Sequence, residues 1–282
     1  MSDLPGRLDV VATPIGNLAD AAPRMRDTLD AADLVLVEDT RRTGRLLQQF
    51  GLKKPLFALH DHNEGDVTDT LLARLLAGER MALVSDAGTP TISDPGFRLI
   101  RAARGAGVAV SPIPGPSAVI AALSASGLAT DRFCFEGFLP NKFKARLERL
   151  TALLDERRTM VFFESVHRIE AMLVDAIATL GGDRPACVAR ELTKMHEQIV
   201  DGTLTDLRAA VATGAIPLKG EFVVIIGGAV AVAEAHNAQA KHMLRVLLAE
   251  GLAVKQAARI VATLTGEPRN ELYQAALTIQ NA

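Results

Sequence analysis
Five times within about 125 residues, a short apolar run leads through a polar loop into a helix-forming stretch, and that alternation restricts the fold class of the first half of the chain. The apolar runs are Leu8–Ala12, Leu34–Val37, Leu56–Leu59, Met81–Val84 and Val108–Val110. The stretches after them read as helices: Pro23–Ala32, Glu38 to about Phe50, Val67–Ala77, Phe97–Ala106 and Val119–Ser126. Leu71, Leu72, Leu75 and Leu76 give the third of these an apolar side. Strands separated by helices pair in parallel, so the pattern predicts a parallel sheet with helices on both faces and right-handed crossovers.

The second half carries more extended pieces per helix. Phe133–Phe138, Thr159–Phe163, Ala186–Ala189, Gln198–Val200 and Glu221–Ile226 read as strands, with helices around Lys142–Arg149, Arg168–Leu180 and Leu204–Thr213, and a mixed sheet is expected. Residues 229–235 read as a linker, and His236 onward as three helices broken at Gly251 and at Gly266-Glu267-Pro268. Such a set suits a helix-turn-helix unit or a dimerisation cap. The expectation is an α/β chain of two α/β domains, parallel sheet first and mixed sheet second, over residues 1–127 and 128–232, with a small helical module over 233–282.

Bulk properties narrow the function. The chain has 282 residues and a formal charge of −2, so a polyanion partner must meet a local basic patch. With one Tyr, no Trp and ten Phe, a base-stacking platform of the RRM kind is poorly supported. The two cysteines, Cys134 and Cys187, lie in apolar runs and suit a reducing, cytoplasmic setting. No Cys-His spacing calls for zinc, and His60, His62 and Glu64 lack a third firm ligand, so no metal is expected. The first residues lack a basic-then-apolar signal layout, and no apolar run approaches a membrane span.

Ligands of open α/β sheets sit at the carboxyl ends of the strands. Four loops fall there: Thr13–Asn17, Glu38–Arg42, Ser85–Asp94 and Pro112–Ser117. None contains Gly-x-Gly-x-x-Gly and none contains Lys, so neither the dinucleotide fingerprint nor the P-loop applies. A phosphate-poor ligand held by backbone groups fits better. Asp94 and Pro95 are expected to cap the helix after the third loop, which leaves Ser85–Thr91 free as a ligand loop.

The motifs Thr13-Pro14-Ile15-Gly16-Asn17-Leu18, Glu38-Asp39-Thr40-Arg41, Ser85 through Gly96 and Pro114-Gly115-Pro116-Ser117-Ala118 resemble the tetrapyrrole methylase superfamily. Phe163-Glu164-Ser165-Val166-His167-Arg168, Arg190 through Glu197 and Lys219-Gly220-Glu221-Phe222 resemble its branch of bacterial small-subunit (16S) ribosomal RNA cytidine 2′-O-methyltransferases. The resemblance covers about residues 6–282. It implies S-adenosylmethionine in a cleft between two α/β domains, usually in a homodimer, with ribosomal RNA of the small subunit, in its assembled particle, as partner. It places Pro14, Ala87, Gly88, Thr89, Ile92, Ser117 and Ala118 at the cofactor, with Glu164 and Leu192 closing from the second domain. The superfamily's Gly-Asp-Pro signature is matched here by Gly88-Thr89-Pro90, and its first loop is usually richer in glycine.

Methyl transfer to a ribose hydroxyl gains from a positioned base. Asp86 ranks first, at a strand end beside the cofactor loop, with Glu38 and Lys194 as further catalytic candidates and Asp39 and His60 behind them. An Asx-turn is the competing role for Asp86. Arg41, Arg42, Lys142, Lys144 and Arg146 are the candidates for RNA phosphate. A tetrapyrrole-precursor C-methyltransferase and a non-catalytic RNA-binding assembly factor are the alternative readings.

Overall fold
The computed structural model describes residues 6–229 and 232–280. In the first half, β1 (Arg7–Val11), β2 (Leu34–Val37), β3 (Leu56–Ala58), β4 (Arg80–Leu83) and β5 (Ala109–Ile113) form one sheet in the order β3-β2-β4-β1-β5, with every pairing parallel. Successive strand residues face opposite ways, and each face is covered. Leu8, Leu34, Leu36, Met81 and Leu83 pack against α3 (Glu64–Leu76) and α4 (Phe97–Gly105). Val11, Val35, Val37 and Ala82 pack on the other side against α1 (Pro23–Ala31) and α2 (Thr40–Gln49). The expected doubly covered parallel sheet is observed.

The fifth helix, α5 (Ala118–Ala125), packs against the second sheet. Val119, Ala122 and Leu123 join Val161, Cys187, Ala189, Val223 and Ile225 in one buried cluster. That sheet contains β6 (Phe133–Phe138), β7 (Thr159–Ser165), β8 (Pro185–Arg190), β9 (Gln198–Thr203) and β10 (Glu221–Ile226), ordered β6-β7-β10-β8-β9. Only the β6–β7 pairing is parallel, which makes the sheet mixed. Its other face is covered by α6 (Phe143–Ala152), α7 (Ile169–Leu180) and α8 (Leu204–Ala212) around Phe162, Phe222 and Val224. Both sheets fall in one compact unit, 1–227. The three-way division by residue range remains a proposal about folding units.

One expected cap is replaced by a distant residue. α4 begins at Phe97, and its N-cap is Gly96 at φ +123°, so Asp94 and Pro95 lie outside the helix. The first-turn donors go to Glu64 at the start of α3, whose Oε1 accepts from the backbone N–H of Gly96 (3.2 Å), Arg98 (2.7 Å) and Leu99 (3.3 Å). A buried carboxylate at a helix N-terminus meets both the dipole and the orphan donors. Glu64 is therefore committed to fixing the exit of the Ser85–Gly96 loop.

The second unit, 228–282, contains α9 (Val232–Ala249), α10 (Val254–Thr265) and α11 (Arg269–Gln280). Ala240, Leu244, Ala257, Ala258, Val261, Leu272 and Ala276 form its own core. Gly266 ends α10 in the left-handed conformation at φ +75°, which a helix C-terminus favours in glycine. The linker expected over 229–235 includes Val230 and Ala231, which lie outside the described residues, and α9 already starts at Val232. No helix among the described residues is long and apolar enough to cross a membrane.

Candidate functional site
Four strand-tip loops of the first sheet are tied together by backbone and side-chain hydrogen bonds. Thr13 and Gly88 exchange both hydrogen bonds, N–H to O at 2.9 and 3.1 Å, which joins the β1 loop to the β4 loop. Thr89 Oγ1 donates to the Pro116 carbonyl at 3.1 Å and brings in the β5 loop. Asp86 ties in the β2 loop: its Oδ1 accepts from the Asp39 N–H at 3.1 Å, and its Oδ2 lies 3.2 Å from Arg42 Nη1. A cleft of about 280 Å3 opens beside these residues, lined by Pro14, Gly16, Leu18, Arg42, Arg45 and Asp86 among others.

The second sheet reaches the same place through its β8–β9 connection. A Cβ at Gly16 would lie 2.5 Å from Lys194 Cγ, 2.9 Å from Thr193 Oγ1 and 3.1 Å from the Leu192 carbonyl. Leu192 is buried in the α5 cluster, with Ile15 of the β1 loop packed against it. On the β6 side, a Cβ at Gly137 would lie 3.3 Å from Ser93 Oγ. The β8–β9 connection thus packs on the β1 loop beside the cleft, and β6 approaches the β4 loop.

Backbone strain gathers on the same two loops. Among the described residues, the non-glycine residues with positive φ are Thr91 (72°), Ser93 (68°), Glu191 (51°) and Thr193 (65°). Each such residue costs on the order of 1–3 kcal/mol and persists where surrounding contacts fix it. Lys194 Nζ bonds Glu191 and Glu221 at 2.7 Å each, Thr193 N–H donates to Glu197, and Arg190 donates to the carbonyls of Lys219 and His196. Buried polar atoms without a partner also fall here: Thr13 Oγ1 and Thr193 Oγ1.

The charge at this edge is mainly negative. Burial and the nearby Asp86 and Asp61 raise the Glu38 carboxyl above the ordinary carboxylate range. Burial pushes Asp94 up to about 6, with Glu38, Asp86 and Asp61 adding to it against a lowering bond from Ser85. An unfolded Asp titrates near 3.9. The folded state therefore binds this proton more tightly, and Asp94 detracts most from stability above about pH 6, less as pH falls toward 4. Asp94→Asn is expected to raise Tm at about pH 7.5, with the gain shrinking by about pH 4.5; an equal shift at both values in a thermal melt series contradicts a desolvated Asp94.

Residues 7–208 match the family model for tetrapyrrole (corrin/porphyrin) methylases, almost three quarters of the chain. The chain belongs to the tetrapyrrole methylase family. Residues 234–280 of this methylase match the RsmI C-terminal HTH domain. Its relatives include proteins named ribosomal RNA small subunit methyltransferase I from Xylella fastidiosa (strain Temecula1), 52% identical over 95% of this chain and 98% of the relative, and from Escherichia coli O157:H7, 50% identical over 98% and 96%. Among solved structures, the methyltransferase CobJ has a TM-score of 0.59 at 23% identity, covering 79% of this chain and 95% of CobJ. A uroporphyrin-III C-methyl transferase from Thermus thermophilus, complexed with S-adenyl homocysteine, has a TM-score of 0.54 at 19% identity, covering 79% and 97%. The two structures share the fold.

Of the residues singled out in the methylase sequence, Pro14, Arg42 and Asp86 line the cleft. Ala87–Thr89 and Ile92 lie in the β4 loop, and Ser117 and Ala118 open α5 beside it. Three assignments need correction. Glu164 does not face the crevice: Val161 and Phe163 of β7 point to the α5 cluster, whereas Met160 and Phe162 point to the α6–α8 core, and Glu164 is in phase with the latter. Its side chain is fully buried beside Arg168, 3.4 Å away. Arg146 is 8% exposed, with Nε 2.6 Å from Asp175 Oδ2, and is unavailable to RNA. Lys194 is lowered by burial but raised more by its bonds to Glu191 and Glu221, so it stays protonated near neutral pH and is a clasp for the loop. Asp94, expected to cap α4, instead lies two residues before its N-cap Gly96 in the β4 loop.

Gly88 joins a left-handed backbone to close packing in the β4 loop. Its φ is +83°, and a Cβ there would lie 3.2 Å from Ile15 Cγ2. A β-branched residue is a severe outlier at positive φ. Gly88→Val is expected to cost about 2 kcal/mol locally and to weaken cofactor binding roughly thirtyfold. Calorimetric titration with S-adenosylmethionine checks it, and an unchanged Kd removes this loop from the binding site.

Proposed function
We propose that this family member is an S-adenosylmethionine-dependent methyltransferase acting on the ribose 2′-hydroxyl of a cytidine in small-subunit ribosomal RNA. The observation that carries the reading is full-length identity of about half to relatives named for methylation of that RNA, on a chain whose strained β4 and β8–β9 loops both pack on the β1 loop. The site's chemistry suits this donor. The cleft lining sets Arg42 and Arg45 beside Asp86, Thr43 and Gln49, and no lysine lines it among the described residues. A ligand with a sulfonium, an amino acid and no phosphate fits such a donor set, and the partnerless Thr13 Oγ1 and Thr193 Oγ1 have polar capacity to spare.

Bound there, S-adenosylmethionine supplies an electrophilic methyl group. Pro14, Ala87–Thr89, Ile92, Ser117, Ala118 and Leu192 hold it, largely through backbone, and orientation provides much of the rate. Asp86 accepts the proton of the ribose hydroxyl on a carboxylate oxygen. Arg42 fixes the Asp86 carboxylate from 3.2 Å. Arg41, exposed and held by Asp39 at 3.2 Å, and Arg42 face RNA phosphate at the rim, joined by Lys142 and Lys144. The protein works in the cytoplasm as a homodimer on the assembled particle.

Transfer of labelled methyl to small subunits, naked RNA or a tetrapyrrole precursor tests this. Label on subunit RNA supports the reading, and label on the precursor alone contradicts it. Binding of RNA with no S-adenosylmethionine affinity favours a non-catalytic assembly factor.

A further inference from the structure
We propose that the exposed triplet Lys142-Phe143-Lys144 clamps one unpaired RNA nucleotide, its base stacked on Phe143 and its flanking phosphates on the two lysines. This deepens the RNA reading above and rests on it.

Phe143 is 61% exposed at the first position of α6, so its ring contributes little to the core. It is nevertheless held in place. The Arg146 guanidinium stands over the ring, 6.0 Å from its centre, and is itself anchored by the buried Asp175. Arg146 thus acts through Phe143, as a positioning residue, while the remaining ring surface is open to solvent. An aromatic surface backed by a cation suits stacking on a base.

The preceding loop is fixed as well. Arg168 donates to Asn141 Oδ1 and to the Leu139 carbonyl, and Arg146 Nη1 donates to the Asn141 carbonyl at 3.3 Å. Lys142 and Lys144 are both exposed, and among the described residues neither makes an ion pair. The first turn of α6 has no side-chain cap, so its backbone donors lie open beside these lysines. A groove of about 530 Å3 runs on from the ring past Leu147, and Glu148 sits along it, where it repels a further phosphate. A cationic start and an acidic continuation fit one nucleotide better than a long strand.

The triplet is also connected to the crevice. β6 touches Ser93 of the β4 loop at Gly137, and six residues on the chain reaches Phe143. The exposed Phe138 lies between them.

The test uses the full-length protein, a labelled unstructured RNA oligonucleotide, and fluorescence anisotropy. Phe143→Ala is expected to weaken RNA binding on the order of tenfold, and Phe143→Trp to restore it, with S-adenosylmethionine affinity, Tm and sedimentation unchanged. Lys142→Ala with Lys144→Ala should lower the slope of log K against log salt by about 0.7 per lysine. Three results overturn the proposal: wild-type affinity in Phe143→Ala, wild-type affinity in Phe143→Leu, which would make the ring a mere apolar filler, or a sedimentation change in Phe143→Ala, which would assign the ring to an interface between copies. If the wild-type chain neither binds nor methylates RNA, the RNA reading itself fails, a result separable from tight wild-type binding that ignores Phe143.

Discussion

Asp86→Ala is expected to lose about 10²- to 10⁴-fold in methyl transfer, the usual worth of a positioned proton acceptor, while S-adenosylmethionine affinity and Tm stay near wild type. Asp86 is half-buried and lines the cleft at the end of β4. It has a second role, since it accepts from the Asp39 N–H and pairs with Arg42. Two variants separate these roles. Asp86→Asn keeps an acceptor for the Asp39 N–H but cannot take a proton. Equal losses in the Ala and Asn variants assign the rate to proton transfer; recovery in Asn assigns it to the Asx-like tie between loops. Turnover near wild type in both would leave Glu38, whose carboxyl is raised by burial, as the next candidate.

Asp175→Ala should destabilise the protein by about 3–5 kcal/mol, because it strands the buried Arg146 without its partner. Both side chains are 9% exposed, so water cannot replace the lost carboxylate. At roughly 2–4 °C per kcal/mol for a chain of this size, Tm should fall by about 10 °C. Arg146→Met with Asp175→Leu fills the same space without charge and should recover much of the loss, as buried pairs often allow. The double variant separates charge from packing and bears on the RNA proposal too: it removes the cation above Phe143 and should weaken RNA binding even with Tm recovered. A Tm unchanged in Asp175→Ala would mean that the pair is not buried in solution.

The architecture was legible because period and length are local properties. Five βα repeats left only a parallel sheet, and the extended second half implied a mixed one, as found. The loops of the first sheet were legible for the same reason, since a strand's carboxyl end is fixed by chain direction. What sequence could not supply was phase and partner. Glu164 belongs to the correct motif but sits one residue out of phase with the face that meets α5. Arg146 sits in a basic run with Lys142 and Lys144, yet the helix turns it inward to an acid 29 residues away. The cap of α4 comes from Glu64, 32 residues before Gly96, so a local rule chose Asp94 instead. Lys194 looked available until Glu191 and Glu221 were found on either side of it.

The most direct test of the central claim is to incubate the protein with methyl-labelled S-adenosylmethionine and small ribosomal subunits that lack the modification, digest the RNA to nucleosides, and separate them. The account predicts label in 2′-O-methylcytidine, and its loss with Asp86→Ala. Label on a base, or none on RNA while a tetrapyrrole precursor is methylated, would contradict it.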